Sequence, residues 1–294
     1  MTSAVVVRAP EARRHARERR FLMCPPTYFE VVYAINPWMD PSRPVDSGLA
    51  MGQWESLVAA YRAHGHRVDL LEALPGLPDM VFAANGATVV DGHVLLARFA
   101  EPQRSAEAIG HAGWHREHAA EYGGTAIAVP VAVNEAEGDF AVLAERILAG
   151  YGFRSSLAAH RELAALTGRE VISLELVDPR FYHLDVALTV LDDVTDQIAY
   201  YPAAFSPASQ EVLTRLFPGA IRASSADAFA FGLNCVSDGA TVFVPAGARA
   251  LMQQLDAAGY DVAPIELSEL IKGGGSVKCC TQEIRQAPSH PTRS

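Results

Sequence analysis

Two adjacent cysteines, Cys279 and Cys280, end the stretch GGGSVKCC at residues 273 to 280. Neighbours on one strand cannot meet disulfide geometry, so the doublet reads as one buried structural thiol and one thiol free for chemistry. A thiol nucleophile needs a base or acid within hydrogen-bond reach and a third group that orients this partner. His183, in FYHLD after Asp178 and Pro179, opens an apolar strand, where its ring can point into a cleft. Glu135 and Asp139 flank NEAEGDF with Glu137 between them, and Gly138 allows close backbone approach. Taken singly these residues have ordinary readings, a structural histidine and a solvated acidic turn. Together they supply a nucleophile, a proton carrier and orienting carboxylates.

Residues so far apart need an architecture that gathers them. A β-rich stretch, a helical stretch and a short β-rich stretch recur five times. The first copy is FEVVYAINPWM (29 to 39), then a helix with Trp54, Leu57, Val58 and Tyr61 at helical spacing ended by Gly65, then HRVDLLEAL. The second is a hairpin over 86 to 99 turned at Asp91 and Gly92, a helix over 103 to 121 and the strand TAIAVPV. DFAVLAERILAGYGF, SSLAAHRELAALTG and REVISLEL make the third. The fourth runs from HLDVALTVLDDVTDQIAYYP through a helix with Ser206 as N-cap and Pro207 at its first position. In the fifth, LNCVSDGATVFVP turns at Asp238 and Gly239 before AGARALMQQLDAAG, and GGGSVKCCTQEI is read as a last strand. A ring of five units would bring distant loops to one central pocket; a doubly wound α/β sheet is the alternative that the alternation also permits.

Composition narrows the function classes. The chain has 294 residues, half of them hydrophobic, and 34 acidic against 24 basic side chains, which argues against a nucleic-acid surface. No run approaches the roughly 18 apolar residues of a membrane span, and no signal-peptide stretch opens the chain, so a cytoplasmic protein is expected. Four cysteines are too few and too scattered for a disulfide framework, and no CxxC pair suggests zinc. Residues 1 to 20 read as a charged leader, frayed or loosely docked, ahead of one catalytic domain over 21 to 294.

The order of acid cluster, HLD and glycine-rich turn before cysteine resembles the guanidine-modifying superfamily, which includes arginine deiminases, dimethylarginine dimethylaminohydrolases, arginine dihydrolases and amidinotransferases. The resemblance extends from Cys24 to Ile284 and implies a five-bladed α/β propeller, the pentein fold, of ββαβ units around a central active site. It implies Cys279 as nucleophile and His183 as general acid and base. Glu135 matches the family's glutamate, with Glu137 a second candidate because many members read EGGD where this chain reads EAEGD. Asp185 matches the aspartate of HLD that holds guanidinium nitrogens, a position occupied by lysine in some dimethylarginine hydrolases.

PDMVFAAN, residues 78 to 85, is similar to the family's substrate-recognising stretch. Asp79 matches an aspartate that binds the substrate head, whereas Asn85 stands where a second guanidinium-binding acid is usual. An amide both accepts and donates, so Asn85 can hold a guanidinium or a neutral ureido group. Arginine dihydrolases resemble this chain there and in CPPTYFEVVYAINPWM, which contains Asn36. Arg104 and Arg154 match arginines that grip the substrate carboxylate, a task suited to a forked guanidinium. The implied reaction is hydrolysis of free arginine or methylarginine through a covalent Cys amidino-thioester, stopping at citrulline or continuing to ornithine, without metal or cofactor. Amidino transfer to an amine and binding without turnover are the alternatives. The implied partner is a small guanidino amino acid, and a homo-oligomer is compatible. Cys24 and Cys280 are expected in the core, and Lys278 is placed either to assist the thiolate or on the opposite face.

Overall fold

Alternating apolar runs broken by short turns build five three-stranded sheets in the computed structural model, which describes residues 14 to 124 and 126 to 287. β1 (Arg20–Met23) leads to α1 (Ser47–Ala63), and β2 (Arg67–Leu70) returns parallel to β1. Asp46 caps α1 by accepting from the Leu49 amide, and Trp54, Leu57, Val58 and Tyr61 form its buried stripe. The hairpin β3 (Ala87–Val90) and β4 (His93–Leu96), with α2 (Glu107–His118), is completed by β5 (Ala126–Ala128), parallel to β4. Both Asp91 and Gly92 have positive φ, as a two-residue primed turn requires.

The same order recurs in β6 (Phe140–Val142), β7 (Arg146–Tyr151), α3 (Leu157–Thr167) and β8 (Glu170–Glu175). It recurs again in β9 (Leu188–Asp192), β10 (Gln197–Tyr200), α4 (Pro207–Leu216) and β11 (Ile221–Arg222), where the Ser206 hydroxyl accepts from Ser209 N and Pro207 opens the helix. A short α5 (Ser225–Phe229) precedes β12 (Val236–Ser237), β13 (Thr241–Pro245), α6 (Arg249–Ala257) and β14 (Asp261–Ile265). After α7 (Ser268–Ile271) the chain reaches β15 (Gln282–Glu283), which pairs antiparallel with β1 and completes the sheet containing β2. Each sheet is therefore an antiparallel pair extended by a parallel strand beyond a helix, and the fold is the five-bladed α/β propeller. Among the described residues no helix is long and apolar enough to cross a membrane.

Three expectations need correction. Residues 29 to 39 form turns rather than a strand, and the first blade is instead founded on β1. FEVVYAINPWM is apolar because Phe29, Val31 and Met39 pack into the central core from a loop, so hydrophobicity there signals burial and not pairing. GGGSVKCCTQEI is mostly turn, and only Gln282 and Glu283 enter a strand. The leader lies partly outside the described residues, but residues 14 to 20 are docked. Arg14 donates to Ala258 O, Arg17 pairs with Asp192 and Asp193, Arg19 pairs with Asp193 and Glu283, and Arg20 already belongs to β1. The leader's charge marked ion pairs that brace blade edges.

Candidate active site

Short turns ahead of the first strands of all five blades carry the polar residues inward. Single 3-10 turns place Asp79 (Pro78–Val81) and Asn85 (Ala83–Asn85) before β3. Another, Ala136–Gly138, separates Glu135 from Asp139 before β6. The turn Leu184–Val186 follows His183 and contains Asp185 ahead of β9, while Asn234 precedes β12. The glycine-rich turn sets Cys279 ahead of β15. Two glycines let these turns crowd together. A Cβ on Gly138 would stand 2.3 Å from Asn85 Nδ2, and one on Gly275 would stand 2.5 Å from the Phe82 ring and 2.9 Å from Cys279 Cβ.

The reactive groups form two linked pairs. Cys279 Sγ donates to Asp185 Oδ2 at 3.2 Å, and His183 Nε2 lies 2.7 Å from Glu135 Oε2. All four residues are buried. Arg154 Nη1 donates to both Glu135 oxygens at 3.1 and 3.0 Å, and its guanidinium lies over the Tyr182 ring. Burial alone would raise Glu135, but the His183 hydrogen bond and the His183, Arg154 and Arg104 charges outweigh it and hold the carboxyl at about 2. Glu135 is thus a fixed anion beside the His183 ring. His183 Nδ1 is left without a partner.

Asp185 behaves oppositely. Burial pushes it up to about 7 despite the Lys278 charge and the hydrogen bonds from Cys279 and Asn234. Burial, then the Asp185 charge and hydrogen bond, push the Cys279 thiol well above its ordinary value, while the Ser276 backbone amide pulls it down. In the empty site the thiol therefore holds its proton. An arriving cation would reverse the balance by stabilising both anions.

A small cavity opens onto Cys279 and is lined by Asn36, Asp79, Asn85, Arg104 and Arg154, with Phe82 and Tyr182 among its walls. Asp79 accepts from Tyr33 Oη through Oδ2 at 2.8 Å and leaves Oδ1 unpartnered; burial raises its carboxyl, partly opposed by Arg104. Asn36 donates to Gly273 O and accepts from Trp38 N, so it caps its own turn while facing the cavity. Asn85 accepts from Arg104 Nη1 at 2.8 Å and donates to Glu135 O at 3.3 Å. Arg104 is otherwise engaged by Glu107, at 3.0 and 2.8 Å, and by Asp79 O. Four of the five N–H donors of this arginine thus have protein partners, leaving one Nη1 hydrogen for a ligand.

The two glutamate candidates separate completely. Ala136, between them, adopts a positive φ of 50°, and Glu135 faces His183 while Glu137 faces Lys278 (2.6 Å) and Arg285 (2.6 Å). Glu137 and Lys278 line a different, larger cavity that shares no lining residue with the first and touches the site through Asp185. That cavity does not contain the thiol. Lys278 therefore serves as an ion-pair partner rather than a direct contact of Cys279. Glu137→Gln should lower stability by about 3 kcal/mol, since one buried anion partner is lost, while kcat of the folded protein stays within roughly threefold. Denaturant melts paired with turnover measurements check this; a collapse of kcat at unchanged stability would return Glu137 to the chemistry.

Asn234 is the member that motif reading missed. Fully buried, it donates through Nδ2 to Cys279 Sγ at 3.1 Å and accepts the Cys279 amide through Oδ1 at 3.1 Å. The repeat itself carried the signal, because Asn234 precedes the first strand of its blade as Asn85 and Asp185 precede theirs. Cys24 and Cys280 are buried as expected, and burial pushes the Cys24 thiol up to about 12.

No family model matches the chain. It is 54% identical over 273 residues to an N(G),N(G)-dimethylarginine dimethylaminohydrolase of Mycobacterium tuberculosis, covering 93% of this chain and 88% of that protein. It is 36% identical over 273 residues to the bifunctional arginine dihydrolase/ornithine cyclodeaminase AgrE of Nostoc, covering 91% of this chain but 38% of that longer protein. Among solved structures, the substrate-bound N-terminal domain of ArgZ, an arginine dihydrolase from cyanobacteria, matches with a TM-score of 0.85 at 33% identity, covering 92% of this chain and 99% of that one. A dimethylarginine dimethylaminohydrolase adduct with 4-chloro-2-hydroxymethylpyridine shares the fold at a TM-score of 0.72 and 18% identity, over 91% of this chain and 100% of the other. A five-blade ring, a thiol at its last turn and relatives of this closeness lead to one conclusion: the chain belongs to the guanidine-modifying, or pentein, superfamily, alongside dimethylarginine dimethylaminohydrolases and arginine dihydrolases.

Proposed function

We propose that the chain is a thiol-dependent hydrolase of free arginine. The observation that carries this reading is a set of buried polar atoms without protein partners on residues of the site: Asp185 Oδ1, Asp79 Oδ1 and His183 Nδ1. Buried acceptors left open in a native site await a donor, and a guanidino amino acid carries N–H groups at both ends. Asp185 would hold guanidinium nitrogens beside Cys279 Sγ, Asp79 the α-ammonium, and Arg154 with the remaining Arg104 donor the carboxylate.

The chemistry follows from the two pairs. Cation binding favours ionised Asp185 and the thiolate; the thiol proton passes to His183, and Sγ attacks the guanidinium carbon to form a C–S bond as the C–N π pair moves onto nitrogen. His183 gives a proton to the departing nitrogen as the C–N bond breaks, and ammonia leaves an amidino-thioester on Cys279. His183 then takes a proton from water, which adds to the same carbon; the C–S bond breaks and citrulline is released. Asn85 supports a further round, because an amide can face the neutral ureido group without the mismatch that a carboxylate would bring; in that round a second ammonia leaves, water releases the remaining carbamate from Cys279, and its loss of CO2 gives ornithine. The four cysteines, free and buried, fit a reducing compartment such as the cytoplasm.

A second reading, hydrolysis of dimethylarginine with release of dimethylamine, is favoured by the 54% identical relative. Incubation with arginine and with asymmetric dimethylarginine separately, followed by mass spectrometry, distinguishes the two. Citrulline or ornithine from arginine supports the proposal; products from the methylated substrate alone overturn it. Asn85→Asp should cut ornithine output at least roughly tenfold while citrulline still forms, because the new anion disfavours a neutral second substrate by at least about 1.4 kcal/mol. Unchanged ornithine would remove Asn85 from the second round.

A further inference from the structure

We propose that Asn234 is the group that holds the attacking sulfur in place and stabilises it as an anion, a role that rests on Cys279 being the nucleophile. Four hydrogen bonds occupy this amide. Oδ1 accepts from Ser276 N and Cys279 N, both at 3.1 Å, and Nδ2 donates to Asp185 O and Cys279 Sγ, also at 3.1 Å. The Asn234 carbonyl accepts from Lys278 N, so one buried residue clamps the turn that leads into Cys279. Its acceptor side shapes the turn, and its donor side faces the reacting atom.

The surroundings make this donor important. Sγ faces the Asp185 carboxylate at 3.2 Å, and Tyr182 and Cys280 lie close enough for charge coupling; none of these favours a second negative charge. Lys278 acts on Asp185 from its pair with Glu137. Asn234 Nδ2 is a side-chain N–H aimed at Sγ before substrate binds, and a hydrogen bond to a charged acceptor is stronger than one to a neutral acceptor. It therefore favours the thiolate over the thiol. Its fixed direction also restricts the sulfur to a single approach to the cavity.

Asn234→Asp separates clamp from donor: the variant is isosteric and retains an oxygen for the two backbone amides, but presents oxygen to sulfur. The test is the pH dependence of iodoacetamide alkylation at Cys279, followed by peptide mass spectrometry with Cys279→Ser as the blank. No substrate enters this readout, so it stands apart from any failure of the arginine reading. The alkylation midpoint is expected to rise by about one to two pH units, with kcat/KM down roughly 10- to 100-fold. Asn234→Ser, which retains a hydroxyl but not the reach to sulfur, should shift in the same direction and serves if the aspartate variant does not fold. An unchanged midpoint in either folded variant overturns the proposal and leaves Asn234 as a turn clamp.

Discussion

Cys279→Ser is expected to reduce kcat by at least about 10⁴-fold while leaving the fold intact, because an alkoxide at this site is far less accessible than a thiolate. The substituted hydroxyl can still donate to Asp185 and accept from Asn234, so the buried network survives. Turnover of arginine and a thermal melt measured together check both halves. Retention of more than roughly a tenth of the activity would exclude Cys279 as the nucleophile. In the unsubstituted protein, kcat/KM for a cationic substrate should climb as pH rises through about 7, where Asp185 loses its proton and becomes the anion that holds the guanidinium. Below that value the carboxyl is neutral and the attraction is lost.

Glu135→Gln is expected to cost roughly 10²- to 10⁴-fold in kcat and about 3 to 5 kcal/mol in stability. Both follow from one carboxylate serving two partners: His183 at 2.7 Å and Arg154 through both of its oxygens. Glutamine has the shape but not the charge, so His183 loses its anionic hydrogen-bond partner and Arg154 stays buried without its own. The folded pKa of about 2 lies below the ordinary 4.5, so this carboxylate stabilises the fold above about pH 4.5 and the contribution drains away as pH falls toward 2. The variant should accordingly lose much of the acid-range slope in an unfolding titration. A rate within about threefold of the parent would mean that His183 works without it.

The repeat was legible because each blade restates a pattern that local physics fixes: a primed turn at Asp91 and Gly92, an N-cap at Ser206, a helix stop at Gly65. Residue types at the blade entrances were legible for the same reason. What periodicity could not show was the direction of a side chain within a non-repeating turn. Glu135 and Glu137 look equivalent in EAEGD, and only the left-handed Ala136 sends one toward His183 and the other toward Lys278. FEVVYAINPWM misled because a buried loop and a buried strand are equally apolar. Asn234 went unremarked because asparagine in a turn is ordinary, and its partner is a sulfur distant in sequence.

The pairing of β1 with β15, with Leu22 opposite Gln282, joins almost the two extremes of the described chain, and Cys279 stands just before that seam. Until the seam forms, His183, Glu135 and Asp185 can occupy their blades, but the thiol has no fixed position among them. Contacts this distant form late and slowly during folding. Assembly of the ring and placement of Cys279 are thus one event, so a partly synthesised or partly opened chain bears the acids and the histidine of the proposed site without the thiol fixed among them.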